Sequence, residues 1–426
     1  MVDTAKVKLY GDDLGILRWN SALDISQFEY SPSFLSKGIE PSPLLMPVRG
    51  GKVYSFADLG KETFKGLPGM IADSLPDTYG RALFERWLAL TGRTVGNPIE
   101  TLCYLGKRCM GALEFEPILD SGFSRDFNLE ISSLVDVANE VLTEKEKFGV
   151  NLKEDKKKAI AEIVRLGTSA GGQRAKAIIA YNKETGEVKS GQVDVPEGFD
   201  YYLIKLDGVS GETGFKETSN YGRLEYSFYK LAKMAGIEMS ESSLLEENGR
   251  AHFLTKRFDR RGSEKVHMLT LSGIAHYDFH LPRVYSYEQA FNVMRALNLS
   301  YAEAKEQYRR IVMNVVIRNQ DDHTKNISFL MDRNGRWRLS PAYDLSFAYN
   351  PTGTWTSQHQ MSINGKFDNI TKFDLLEIAK KNNINEAGEI IDEIKDQTSK
   401  WPEIALDTGV PKNIVDTIYS HFRLDL

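Results

Sequence analysis

One stretch of the 426-residue chain, Asn319-Gln-Asp-Asp-His-Thr-Lys-Asn326, places two carboxylates in tandem, Asp321 and Asp322, ahead of an amide, Asn326. Another carboxylate, Asp344, follows in Ser-Pro-Ala-Tyr-Asp-Leu. Phosphoryl transfer needs such a set. One acid must orient a hydroxyl nucleophile, while an amide and a further carboxylate hold Mg²⁺ against nucleotide phosphates. For any one of these residues the plain alternative is a polar loop between a helix and a strand. The constellation is what favours chemistry.

Positioning those groups requires particular neighbours. A helix over 300–318, with Ile311, Val312, Val315 and Val316 as its buried stripe, delivers Asn319. Next come a strand over 327–331, a turn at Asp332-Arg-Asn-Gly335 and a return strand over 337–339, a hairpin that brings Asn326 and Asp344 together. Upstream lies Gly167-Thr-Ser-Ala-Gly-Gly-Gln-Arg-Ala-Lys176, a small-residue loop whose backbone N–H groups could approach phosphates, followed by a strand over 177–181. It lacks the Gly-Lys-Ser/Thr ending of a Walker A loop. The strand 200–206 puts Tyr201, Leu203 and Lys205 on one face. A kinase keeps its phosphate-binding lysine on such a strand, although an edge lysine that discourages sheet aggregation is the alternative. A helix from Ser219-Asn220 to Gly236 has Leu224, Phe228, Leu231 and Ala235 as its core stripe, with Glu225 beside it as a partner for Lys205. Residues 252–261 read as a strand entering a charged bend, where a kinase layout has its hinge.

The opening of the chain is β-rich, with a hairpin over 6–19 and strands near 28–31, 44–48 and 52–56. Gly and Pro punctuation over 64–80 fixes a backbone path that reads as a structural brace and leads into a helix over 79–90. Residues 102–115 read as a strand pair, 134–142 and 158–166 as helices, and the tail as helices over 372–382, 386–400 and 411–422. Lys, Glu and Asp crowd 145–157, which places a domain junction near 148. An apolar fraction of 41% and a charged fraction of 27% describe an ordinary globular chain, and the net charge of −5 argues against direct nucleic-acid binding. Cys103 and Cys109 suit a reducing compartment and lack metal-site spacing. His276 and His280 have no evident third ligand. The first residues lack an apolar signal core and no run of membrane-spanning length follows, so the expectation is a cytoplasmic protein.

Taken together, these motifs resemble the HipA family of serine/threonine kinase toxins. The likeness rests on Phe64-Lys-Gly-Leu-Pro-Gly-Met-Ile-Ala-Asp-Ser-Leu-Pro-Asp, Ser169-Ala-Gly-Gly-Gln-Arg-Ala-Lys, Lys205, Lys256-Arg-Phe-Asp-Arg, Asn319-x-Asp-Asp-His-x-Lys-Asn and Ala342-Tyr-Asp. It implies an α+β, two-lobed, protein-kinase-like fold related to phosphoinositide kinases. A β-rich N-terminal subdomain (1–147) would precede an N-lobe (148–258) and a helical C-lobe (259–426). By the same likeness Asp321 rather than Asp322 is the catalytic base or hydroxyl-positioning residue, supported by His323 and Lys325, and Asn326 and Asp344 bind Mg²⁺. ATP would meet Ser169, Ala170, Gly171, Gly172, Lys176, Lys205, Lys256 and Phe258. Ser169, with Thr168 adjacent, would be autophosphorylated, adding nearly two negative charges to a loop built to attract phosphate. The implied partners are a HipB-like helix-turn-helix antitoxin, operator DNA through that complex, and a translation component such as an aminoacyl-tRNA synthetase as substrate. A kinase of this fold with another protein or a small-molecule substrate is the alternative, as is a catalytically silent corepressor.

Overall fold

The computed structural model describes residues 2–76, 78–90, 92–94, 96–119, 131–143, 175–191, 195–209 and 220–426. Two five-stranded antiparallel sheets draw their strands from residues 4–256. The first runs Val53–Tyr54, Ile25–Tyr30, Asp12–Asn20, Thr4–Leu9, Leu113–Glu116 in spatial order. Alternation along Thr4–Leu9 buries Ala5, Val7 and Leu9 on one face. The second sheet runs Val188–Ser190, Lys176–Tyr181, Asp200–Lys205, Arg250–Lys256, Ser242–Glu247. Helix Tyr221–Met234 lies on it so closely that a Cβ at Gly222 would meet the Ala251 carbonyl oxygen at 1.9 Å. No larger residue fits there.

The remainder is mostly helical. Helices Tyr287–Ala296 and Tyr301–Val316 both open on complete capping boxes, from Ser286 and Ser300. The expected hairpin forms as Ser328–Met331 paired with Trp337–Leu339, with His267–Thr270 added on its outer edge. In the tail, Lys372–Lys381, Ala387–Ser399 and Lys412–Tyr419 match the three expected helices, and a further short helix, Trp401–Asp407, stands between the last two. Its Trp401 is fully buried, stacked on Phe228 at 5.0 Å, and donates from Nε1 to Ser227 Oγ at 3.1 Å. The tail thus grips the back of the helix that carries Glu225.

Two expectations fail. Residues 44–48 form no strand: Pro41, Pro43 and Pro47 remove ladder donors, and the segment turns so that the Met46 carbonyl accepts from Tyr30 Oη at 2.7 Å. Residues 102–115 are not a strand pair but the end of helix Pro98–Leu105 followed by the single strand Leu113–Glu116. Asn97 caps that helix, accepting from Glu100 N at 3.2 Å, with Pro98 at its first position. Every residue from Thr101 to Leu105 is buried, so the helix has no polar face to betray its period.

One apolar core joins the first sheet to the helical half, running from Val7 and Phe115 through Met70 and Ile274 to Ile311 and Trp401. A second joins the second sheet (Ile179, Tyr202, Ile204, Leu254) to helices Thr78–Leu90 and Ile131–Thr143.

Candidate active site

Lys205 closes its strand with an ammonium held between two carboxylates, Glu225 and Asp344 Oδ1, the latter at 2.5 Å. Burial alone would lower its pKa, but Asp344 and then Glu225 outweigh that and hold it above the ordinary lysine value. Asp344 shifts in the complementary sense: burial would raise its pKa, but Lys205 first, then Lys176 and His323, keep it below the usual carboxylate range. Its backbone takes φ of +51°, a left-handed turn that a non-glycine residue adopts only when its surroundings dictate it. Asn319 supplies part of that dictate, donating from Nδ2 to the Asp344 carbonyl at 3.2 Å.

The tandem acids have separate environments. Asp322 is 3% exposed and fully engaged, accepting from Tyr287 Oη at 2.8 Å, His359 Nδ1 at 2.8 Å and Gln360 N at 2.7 Å. Burial, then the Asp322 charge, pushes the Tyr287 phenol far up, so it remains a donor. Asn314 Nδ2 donates to Tyr287 Oη at 3.1 Å and Asn314 Oδ1 accepts from Asn319 at 2.9 Å, so one hydrogen-bonded path links Asp322 to the Asp344 backbone. Asp321 instead faces solvent, its side chain 52% exposed, with His323 Nε2 at 4.0 Å. Its carbonyl accepts from Asn326 Nδ2 at 2.8 Å, which leaves the Asn326 amide oxygen as an acceptor. Asn326, Asp344 and His323 line one small cavity.

The remaining expected residues divide clearly. Lys176 is buried and lies opposite Lys205 in the sheet, adding its charge to the site. The Phe258 ring is 5.8 Å from that of Tyr343, beside Asp344. Lys256 is not gathered with them: its ammonium is held by Asp200 Oδ2 at 2.6 Å. Lys325 sits 4.9 Å over the Phe279 ring while its carbonyl accepts from Tyr343 Oη at 2.7 Å. Ser169, Ala170, Gly171, Gly172 and Thr168 fall outside the described residues. A hard-oxygen pair, one carboxylate and one amide oxygen, suits Mg²⁺, which takes one or two such protein ligands and completes its shell with water and phosphate.

Sequence reading missed the supports. His359 and Tyr287 lie far from Asp322 in the chain, and no spacing announces them. The brace over 64–80 meets the site from behind: Asp73 accepts from Thr270 N at 2.6 Å and Thr270 Oγ1 at 2.8 Å. Gly69 and Gly273 permit this contact, since a Cβ on Gly69 would meet the Gly273 carbonyl at 2.2 Å and one on Gly273 the Asp73 carboxylate at 2.2 Å. Burial raises the Asp73 pKa, opposed first by the charge of Lys325, so the brace and the loop act on each other. At the bend after Arg250–Lys256, buried Asp259 is clamped between Arg257 and Arg260 and accepts from Gly111 N at 2.7 Å.

Comparison with known proteins agrees with this architecture. The family model for the HipA N-terminal domain matches residues 5–116, and that for the HipA-like C-terminal domain matches 168–401. A Haemophilus influenzae protein provisionally named a kinase is 27% identical over 134 residues, covering 28% of this chain and 39% of its own. A Sinorhizobium fredii protein, also provisionally named a kinase, is 26% identical over 215 residues, covering 46% and 52%. The chain thus spans about half or less of the curated relatives it matches. Among solved structures, HipA in the Shewanella oneidensis complex of HipA, HipB and operator DNA superposes with a TM-score of 0.67 at 14% identity, over 98% of this chain and 94% of that one. At that identity the likeness concerns the fold, which is two-lobed and kinase-like.

Proposed function

This chain belongs to the HipA family, and we propose that it is an ATP-dependent serine/threonine protein kinase that acts as the toxin of a toxin–antitoxin pair. The observation that carries the kinase reading is the Lys205 ammonium shared by Glu225 and Asp344, beside a loop that buries one tandem acid and presents the other. In this reading Asp321 orients the substrate hydroxyl and receives its proton, and Lys205 binds the nucleotide phosphates. Asn326 and Asp344 would hold Mg²⁺, which when bound neutralises charge on the phosphates. Asp322, through Tyr287 and His359, keeps the loop in register. His323 and Lys325 flank the acceptor side, and Ser169 is the proposed autophosphorylation site.

The partner we propose is a HipB-like antitoxin, in line with the structural neighbour, whose complex contains HipB and operator DNA. A net charge of −5 supports DNA contact through that partner rather than through this chain. The substrate proposed is a translation component, an aminoacyl-tRNA synthetase foremost. The test is a phosphoproteome comparison between cells expressing the wild-type chain and Asp321→Gln. Phosphoserine or phosphothreonine confined to the wild type, with growth arrest relieved by the variant, is the expected result. Equal ³²P transfer by purified Asp321→Gln would sink the assignment.

A further inference from the structure

Immediately before the loop that carries Asp321, Arg318 stacks its guanidinium on Tyr349 at 4.4 Å. Tyr349 meets His421 edge-on at 5.3 Å, and His421 stacks on Phe347 at 5.9 Å. Arg423 joins the group, tied in by its backbone N–H to the Val316 carbonyl at 2.8 Å. The Arg318 guanidinium and the His421 imidazole therefore share the Tyr349 ring, and Arg423 follows two residues after His421. Among the described residues neither guanidinium has a carboxylate within 4.0 Å or a side-chain hydrogen bond, and Arg318 Nε is buried with no acceptor. Burial, then the charge of Arg318, lowers the Arg423 pKa; Asp425 and Asp368 oppose this from beyond ion-pair distance.

Such an arrangement costs free energy as it stands, because like charges are crowded and a donor is desolvated without return. An anion would reverse both. A guanidinium stacked on a ring keeps its in-plane N–H groups free for a tetrahedral oxyanion, and two of them exceed what one carboxylate balances. We propose that Arg318, His421 and Arg423 form a phosphate-binding site behind the catalytic loop.

Its location gives it a consequence. The Arg318 carbonyl accepts from Ala348 N at 3.1 Å and Gln320 N donates to the Ala348 carbonyl at 3.0 Å, so the site joins the loop before Asp321 to the segment after Asp344. Arg318 itself is held at φ of +52°. Filling the site would stiffen both segments at once. Two sources can supply the group: free phosphate, or a phosphorylated hydroxyl on the adjoining turn, where Thr352, Thr354, Thr356 and Ser357 follow Tyr349 and the Asn350 N–H closes on the Thr356 carbonyl at 3.1 Å. Only the second source rests on the kinase reading.

The test is thermal unfolding of the full chain in inorganic phosphate against chloride at equal ionic strength, repeated in Lys205→Met to weaken any contribution from the nucleotide site. Phosphate is expected to raise the midpoint by about 2 °C in both, to do nothing in Arg318→Gln/Arg423→Gln, and to act partially in Arg318→Lys/Arg423→Lys. The glutamine variant should melt no lower than wild type in chloride, since it relieves an unpaired charge pair. An equal rise in the glutamine variant would overturn the site. If that variant folds poorly, the lysine variant decides: a partial rise supports the site and none overturns it. Peptide mass spectrometry after incubation with Mg²⁺ and ATP separates the sources. Phosphate on one of the four hydroxyls assigns it to the turn, and a bare turn with a phosphate-dependent rise assigns it to the free ion. A bare turn with no rise refutes the proposal.

Discussion

Two ion-pair triads, of opposite composition, stand at the candidate site and at the bend after Arg250–Lys256. At the site, one cation, Lys205, serves two anions, Glu225 and Asp344. At the bend, one anion, Asp259, serves two cations, Arg257 and Arg260. The bend triad is sealed: its side chains are 1% to 8% exposed, and Arg260 also donates to the carbonyls of Gly111 at 3.0 Å and Cys109 at 3.1 Å. The site triad is open on one side, with the Asp344 side chain 36% exposed. A sealed triad fixes the first sheet's neighbourhood to the bend. An open one can exchange partners with phosphate or a cation.

That contrast predicts opposite phenotypes. Asp259→Ala leaves two guanidiniums buried without a counter-ion and should destabilise the fold by about 3–5 kcal/mol, measured by denaturant unfolding. A loss below about 1 kcal/mol would erase the distinction between the triads. Lys205→Met leaves its two carboxylates unpaired in a site that water reaches on one side, so it should destabilise the fold less than Asp259→Ala yet lose about 10²–10³-fold in phosphoryl transfer, assayed with labelled ATP. Next in size, Glu225→Gln keeps a neutral partner for Lys205 and should cost roughly tenfold in rate with little change in unfolding.

Acid provides the most selective effect. Asp259 and Asp344 both titrate below the usual carboxylate range when folded, so their contribution is present above the unfolded value and lost only as pH falls through the depressed one. Lys205 is raised, so its share is complete below the ordinary lysine value and fades only as pH climbs through the higher one. Both triads should be indifferent to pH between about 5 and 9. His267 and His276 behave otherwise: burial lowers each to about 4, so folding holds them neutral while the unfolded chain binds protons from about 6.5 downward. Stability should therefore fall by at most about 1.4 kcal/mol per pH unit for each histidine between those values. His276 takes its bond from Gly69 N at 2.9 Å, so His276→Gln should flatten part of that slope. A slope unchanged in the variant would exclude His276 as its source.

What the sequence made legible was the local and periodic part. The stripe Ile311, Val312, Val315, Val316 and the hairpin after it follow from spacing along the chain, whereas the Lys205–Glu225 pair, which joins a strand to a helix, follows from the kinase layout. Helix Pro98–Leu105 was misread because burial on all sides erases periodicity, although Asn97-Pro98 carried a cap signal that could have corrected it. The separate duties of Asp321 and Asp322 depend on His359 and Tyr287, contributed by distant segments, and adjacent identical residues contain nothing to tell them apart.

The grip of Trp401 on Ser227 also bears on timing. The two residues stand 174 positions apart, so at about 5–20 residues per second a growing chain possesses the first for roughly 10–30 s before the second is synthesised. Throughout that interval the Phe228 face of the Glu225 helix lacks its Trp401 contact. Ribosome-arrested chains should remain protease-sensitive near Ser227 until the 401–422 segment has emerged. On the proposed kinase reading, the backing of the Glu225 helix would be complete only once the 401–422 segment has been made.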